Sequence, residues 1–372
     1  MNTAIFINNI SNLGGTEVVS MEYALRLEKQ GDNVHFITVD FIQRPKELEN
    51  SSIQIYVIRG ENNHQTLKPE QIEKTISYCK EKKIDRSIFM INIPHKISPI
   101  SNLELILEMK KNTKCEVVFH NTPKSYITRY WSKEYTFFGN ILRKIKTFIK
   151  VAPYAKKFIK TLSYNEVELY TICRGSQHEL KKYYGVDSKI RYNTYEFKNI
   201  SLPEKQNVVT YCGRLSFEKN IFFLLKAWQK CDTENWTLRL IGDGKEKEKL
   251  ENYCSRNNLK NIVFVGKVPH DDIYNLMAES KICCLTSFNE GYPTVIVEAM
   301  NVGNAILTTR YDGISNEILN ERNSIITNYK VSTYAKALYD LLHNDEKTLQ
   351  MGINAYNDCK KFYESKEYFD KI

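Results

Sequence analysis

No run in this chain of 372 residues approaches the roughly 20 consecutive apolar residues that a membrane-spanning helix needs, so no spanning segment is expected. The N-terminus, "MNTAIFINNISNLGG", enters an apolar strand-like run directly. It lacks the basic lead and small-residue cleavage site of a secretory signal, and a cytoplasmic location is expected. Nine cysteines are present, yet there is no CxxC and no Cys/His cluster, which leaves neither metal-ligand spacing nor a disulfide framework. Cys115, Cys173, Cys212, Cys283 and Cys284 fall in strand-like or helix-like stretches and read as reduced core residues. Short-period repeats and low-complexity tails are also missing.

What is there is an α/β pattern. Short apolar runs ("TAIFINN", "NVHFITV", "IQIYVI", "RSIFMINI", "CEVVFH") alternate with segments of helical spacing, as in a parallel sheet flanked by helices. The first helix is expected over Thr16 to Gln30, stopped by Gly31 in a left-handed cap. A second series follows: "VVTYCG", "WTLRLIG", "IVFVG", "KICCLTS", "AILTTR" and "SIIT". The length suits two domains. Residues 1–200 and 201–355 are expected to form them, joined through the polar stretch Lys198 to Asn207, with 356–372 as a C-terminal helix that is either solvated or packed back on the first domain. No GxGxxG follows the first strand of either half, which argues against a dinucleotide-dependent oxidoreductase.

The net charge of +9 is concentrated. Between Lys124 and Lys160 ten cations face Glu134 alone, an excess equal to that of the whole chain. Trp131, Phe137, Phe138 and Phe148 interleave with them. The segment reads either as a solvated helix pair with aromatic feet in the core or as an insertion resting on an anionic bilayer. No recognised nucleic-acid-binding module accompanies it, and no nucleic-acid partner is expected.

In "SFNEGYPTVIVEAM" a buried-type strand ends before Glu290, and Pro293 suits the first turn of a helix that carries Glu298. A strand-to-helix loop lies at the carboxyl edge of a parallel sheet, where anions and ligands bind. Glu290 at that mouth can accept hydrogen bonds from sugar hydroxyls, and Glu298, about two turns into the helix, from a second diol. The alternative is a surface loop residue and a helix-face residue. "YCGRLSFEKN" places Gly213 and Arg214 after a strand and Lys219 five residues on, so two cations can converge on one diphosphate. Gly242-Asp243-Gly244 and Gly266 end two further strands, where backbone approaches closely.

In this order and spacing, Gly213-Arg214, Lys219-Asn220, Gly242-Asp243-Gly244, Gly266, Glu290-Gly291, Glu298-Ala299-Met300, Gly303 and Asp312-Gly313 resemble the C-terminal domain of retaining glycosyltransferases of family 4. The resemblance covers Val208 to about Thr327. Asn304 stands where a proline is often found, and Ser324 where a late glycine is usual. The resemblance implies a GT-B fold, two Rossmann-like domains facing a cleft. It makes Arg214 and Lys219 the holders of the donor diphosphate and Glu290 the partner of the donor sugar. Gly213 and Gly242 would touch sugar or phosphate, as would the amides of Gly291, Tyr292 and their neighbours Pro293 and Thr294; the backbone at Val268 after Gly266 would frame the base, and Glu298 would bind the ribose.

"NISNLGGTEVV" is similar to the opening of the same family, with Gly14 and Gly15 letting backbone approach a phosphate or acceptor. His120, ending "CEVVFH", is the expected donor-sugar contact, with His95 in "INIPHKIS" as its rival. Ser176 is the expected N-cap of the helix in "TICRGSQHELKKYYG". The activity implied is transfer of a sugar from a nucleotide donor, UDP-linked by default, to a glycan or lipid-linked acceptor, without metal or cofactor. A sugar phosphorylase or sugar-nucleotide epimerase on the same fold, or a non-catalytic nucleotide-sugar-binding subunit, remains the alternative.

Overall fold

The computed structural model describes residues 1–10, 15–41, 43–58, 67–94, 99–122, 145, 149, 151–288, 290–311 and 315–371. The chain divides into two compact units, Met1–Tyr195 with Lys371–Ile372, and Glu196–Asp370. The division falls just before the stretch expected to link the halves, because residues from Lys198 onward are already bonded into unit 2. Lys198 exchanges backbone hydrogen bonds with the Asn301 side chain, its N–H at 3.0 Å and its carbonyl at 2.8 Å.

Unit 1 is a seven-stranded parallel sheet in the order β3-β2-β1-β4-β5-β6-β7. Its strands are β1 (Asn2–Asn9), β2 (Asn33–Asp40), β3 (Gln54–Val57), β4 (Arg86–Ile91), β5 (Lys114–Phe119), β6 (Glu168–Thr171) and β7 (Lys189–Ile190). The helices are α1 (Gly15–Lys29), α2 (Pro69–Glu81), α3 (Leu103–Asn112), α4 (Ala152–Tyr164) and α5 (Arg174–Tyr184). Strands β1, β4 and β5 are almost wholly buried, as expected of parallel strands covered on both faces. Gly31 closes α1 at φ +92°, the left-handed cap expected of it. The cap of α5 differs from expectation: Cys173 holds the N-cap position and its Sγ accepts from the Ser176 N–H at 3.4 Å. Ser176 itself lies inside the first turn, with its hydroxyl 3.2 Å from the same sulfur.

Unit 2 is a six-stranded parallel sheet in the order β10-β9-β8-β11-β12-β13. Its strands are β8 (Gln206–Cys212), β9 (Thr237–Ile241), β10 (Ile262–Gly266), β11 (Ser280–Leu285), β12 (Ala305–Thr309) and β13 (Ser324–Thr327). Around them lie α6 (Ile221–Trp228), α7 (Lys247–Arg256), α8 (His270–Ala278), α9 (Thr294–Asn301), α10 (Ser315–Ile318), α11 (Val331–His343), α12 (Asp345–Tyr363) and α13 (Lys366–Phe369). The expected terminal helix thus begins eleven residues earlier than 356 and is broken at Glu364-Ser365. In both sheets the strand order reverses once, between β1 and β4 and between β8 and β11. Such reversals leave a crevice at the carboxyl ends of the two strands, where open α/β sheets take their ligands.

Candidate functional site

The crevice of unit 2 is built by the loops that leave β8 and β11. Gly213 follows β8 with φ +151° and Gly242 follows β9 with φ +129°. A methyl group on Gly242 would lie 2.1 Å from the Gly213 carbonyl oxygen, and one on Gly244 would lie 2.3 Å from that of Leu215. Backbone bonds lock the two loops together, Leu215 N–H to Asp243 at 2.9 Å and Glu246 N–H to Leu215 at 3.0 Å. The Tyr211 hydroxyl, buried beneath, donates to the Arg214 carbonyl at 3.1 Å and fixes the turn that carries the arginine.

Arg214 itself is exposed, with no ion pair among the described residues. Lys219 ends a 3₁₀ turn (Phe217–Lys219), and its Nζ donates to Glu290 Oε1 at 2.6 Å across the strand-order reversal. This pair is sheltered, the side chains being 26% and 12% exposed. Further bonds between the β8 and β11 loops hold it: Thr286 Oγ1 to the Lys219 carbonyl at 3.1 Å and Phe288 N–H to the Glu218 carbonyl at 2.9 Å. The Ser287 carbonyl accepts from Tyr329 Oη at 2.5 Å and Thr309 Oγ1 at 3.1 Å. Tyr211, Thr286, Thr309 and Tyr329 were not legible as site residues, because each acts through a partner far away in the sequence.

Pro293 caps α9 at φ −74°, with Gly291 and Thr294 half-buried beside it. Glu298 and Lys219 both act on the Cys212 thiol at the end of β8. Burial pushes that thiol up to about 12; Glu298 adds to the rise and Lys219 opposes it. The two charged groups therefore stand at the same strand end, and the helix amides of α9 add partial positive charge. The Tyr292 side chain is buried, 8% exposed, and bonded to Tyr363, so it is the backbone amide of this residue that a ligand can meet. Val268 is half-buried in the turn after Gly266, whose φ is +84°.

In unit 1, Gly15 opens α1, and among the described residues no atom stands within 4 Å of where a Cβ would be. Gly14, His95, Asp312 and Gly313 lie outside the described residues, as does most of 124–160. His120 follows β5, with its N–H bonded to the Ile91 carbonyl at 3.0 Å and Nε2 3.3 Å from Met90 Sδ. Burial pushes its imidazole down to about 4, so the ring is neutral at pH 7. It lines a small cavity with Tyr23, Arg191, Tyr192 and Thr194. Among the described residues no group of three His, Cys, Asp or Glu is placed to hold a metal, and no helix is long and apolar enough to cross a membrane.

Two parallel-sheet Rossmann-like units, the second with cations and a carboxylate at its strand-order reversal, have the GT-B fold of solved glycosyltransferases. Residues 193–358 match the model of the glycosyl transferases group 1. An uncharacterized glycosyltransferase of Haemophilus influenzae is 26% identical over 355 residues, 93% of this chain and 92% of its own length. An undecaprenol-linked-glycan alpha-1,4-N-acetyl-D-galactosaminyltransferase of Campylobacter jejuni is 27% identical over 215 residues, 55% of this chain and 59% of its own. The solved structure of Anabaena HepE in complex with UDP has the same fold, with a TM-score of 0.71 at 17% identity, over 97% of this chain and 95% of that one.

Proposed function

We propose that this chain is a retaining, metal-independent glycosyltransferase that moves a sugar from a UDP-linked donor to a glycan or lipid-linked acceptor in cell-surface polysaccharide synthesis. The observation that carries the reading is the Lys219–Glu290 pair across the strand-order reversal of unit 2, with Arg214 open to solvent beside it. A diphosphate entering there meets Arg214 first. It then draws Lys219 away from Glu290, whose freed carboxylate accepts hydrogen bonds from the sugar hydroxyls. As the glycosidic bond breaks, negative charge gathers on the leaving diphosphate. Arg214, Lys219 and the first amides of α9 stabilise it without reorganising at that moment. Glu298 takes the ribose diol. The leaving phosphate itself accepts the acceptor's proton on the face it departs from, which keeps the anomeric configuration.

Two comparisons favour this choice of substrates. HepE was solved with UDP, and the Campylobacter jejuni relative is named for a glycan on undecaprenol diphosphate. A lipid-linked acceptor brings the basic segment 124–160 to an anionic bilayer at the cytoplasmic face, and failure to co-sediment with anionic vesicles at low salt would remove that contact. The reaction is tested by ligand-observed NMR of the protein with a panel of UDP- and GDP-sugars, following binding and the anomer released on slow hydrolysis. One preferred donor, lost in Arg214→Ala and released with its configuration kept, supports the reading. Absence of binding to every nucleotide and sugar nucleotide defeats it.

A further inference from the structure

The loop that carries Glu290 is short. Only Gly291, Tyr292 and Pro293 separate that carboxylate from α9, so whatever fixes Tyr292 fixes the backbone on which Glu290 stands. Tyr292 does not face solvent. Its hydroxyl is hydrogen-bonded to that of Tyr363, the last residue of α12, and both side chains are buried, 8% and 2% exposed. Behind them stands Tyr368 of α13, 1% exposed, with its ring 4.7 Å from that of Tyr363 at 74°. Burial raises the Tyr292 and Tyr363 hydroxyls well above the usual tyrosine range, so both stay protonated and able to donate.

Helix α12 is itself immobilised along its length. Thr348, Met351, Gly352, Ala355, Cys359 and Tyr363 are its buried positions, a stripe of helical period. A Cβ on Gly352 would lie 2.3 Å from the Gly303 carbonyl oxygen, at the far end of α9. Further along, Cys359 Sγ donates to the Val297 carbonyl at 3.8 Å, and Tyr363 then meets Tyr292. The helix runs antiparallel to α9 as a splint, and its final tyrosine reaches the loop that precedes α9.

We propose that Tyr363, backed by Tyr368, is a positioning residue for the donor sugar: through Tyr292 it sets where Glu290 stands. This rests on the assignment of Glu290 to the donor sugar, but its first consequence is measurable without any ligand. Tyr363→Phe keeps the ring and removes the bridging hydroxyl. Amide hydrogen exchange at Gly291 and Tyr292 in the free variant is expected to quicken at least tenfold over wild type. Turnover of a UDP-sugar is expected to fall about tenfold while affinity for UDP alone, held by Arg214 and Lys219, stays within twofold. Tyr292→Phe and the double variant are expected to show the same loss as Tyr363→Phe and not its square, because all three remove one bond. Unchanged exchange at Gly291 and Tyr292 overturns the proposal, as do additive losses or a parallel loss of UDP affinity. Should wild type bind no nucleotide, the donor assignment falls, and the exchange measurement alone decides whether α12 holds the loop.

Discussion

At the scale of single residues, Arg214 and Lys219 carry the same charge in different settings. Arg214 is exposed and its removal disturbs no packing. Lys219 is held by Glu290, so its removal also strands a carboxylate that is only 12% exposed. Either substitution to alanine is expected to lower kcat about 10²–10³-fold, on the order of 2.7–4 kcal/mol of transition-state stabilisation, as for loss of one preorganised donor. Arg214→Ala should leave the urea midpoint of unfolding unchanged, whereas Lys219→Ala should lower it. Near-normal turnover in both variants would remove the cations from the mechanism. Because these two side chains supply the positive charge at the leaving group, turnover is also expected to survive dialysis against EDTA; loss of activity restored by a divalent ion would replace them with a metal.

At the scale of elements, the site depends on backbones that touch. Gly242→Ala puts a methyl 2.1 Å from the Gly213 oxygen at a φ of +129°, and neither strand-end loop can yield without breaking the bonds between them. Overpacking plus strain of this kind costs at least ~1–3 kcal/mol. Urea denaturation should show it, and UDP affinity should fall with it because Arg214 rides on the displaced turn. An alanine as stable as wild type would mean that the loops are not locked. The glycines were legible in the sequence as strand-end turns, since a glycine after an apolar run implies close approach. Their mutual contact was not, because Gly213 and Gly242 are 29 residues apart and nothing local encodes the meeting. The long strands β1, β2, β8 and β11 were legible as apolar runs buried on both faces, while β7, two residues long, has too little pattern to read. Glu290 and Lys219 were legible by type and order; the bond between them depends on β8 and β11 being neighbours. The tail illustrates the same limit: its sequence left a solvated helix and one packed on the first domain equally open, and only the fold shows Tyr363 against Tyr292.

At the scale of the whole molecule, the two units differ in what acid does to them. Unit 1 buries His35, 0% exposed and lowered from its usual pKa first by burial and then by Lys82, and half-buries His120, whose desolvation pushes it down to about 4. A folded-state pKa below the unfolded value of about 6.5 means that the unfolded chain binds more protons as pH falls. That stability is full above pH 6.5 and drains away down to pH 4. Unit 1 also holds Glu116, 0% exposed; burial raises its carboxyl, but Arg191 at 2.6 Å and Arg86 at 2.9 Å more than offset this and hold it at about 2. Its contribution is present above about 4.5 and is lost as pH falls toward 2. In unit 2 His343 is exposed, and the half-buried Lys205 is pushed down only to about 8 by desolvation, so it is already protonated below pH 7 and its cost does not change in the acid range. Unit 1 should therefore give way first between pH 6.5 and 4. The tryptophans allow the test, since Trp228 and Trp236 lie in the core of unit 2 and Trp131 is the only other. In Trp131→Phe, indole emission reports unit 2 alone while far-ultraviolet circular dichroism reports both units. Acid titration is expected to show a loss of ellipticity at higher pH than the emission shift, and His120→Gln should move that first step to lower pH. Coincident transitions that His120→Gln leaves in place would mean that the units unfold as one and that these imidazoles do not set their acid limit.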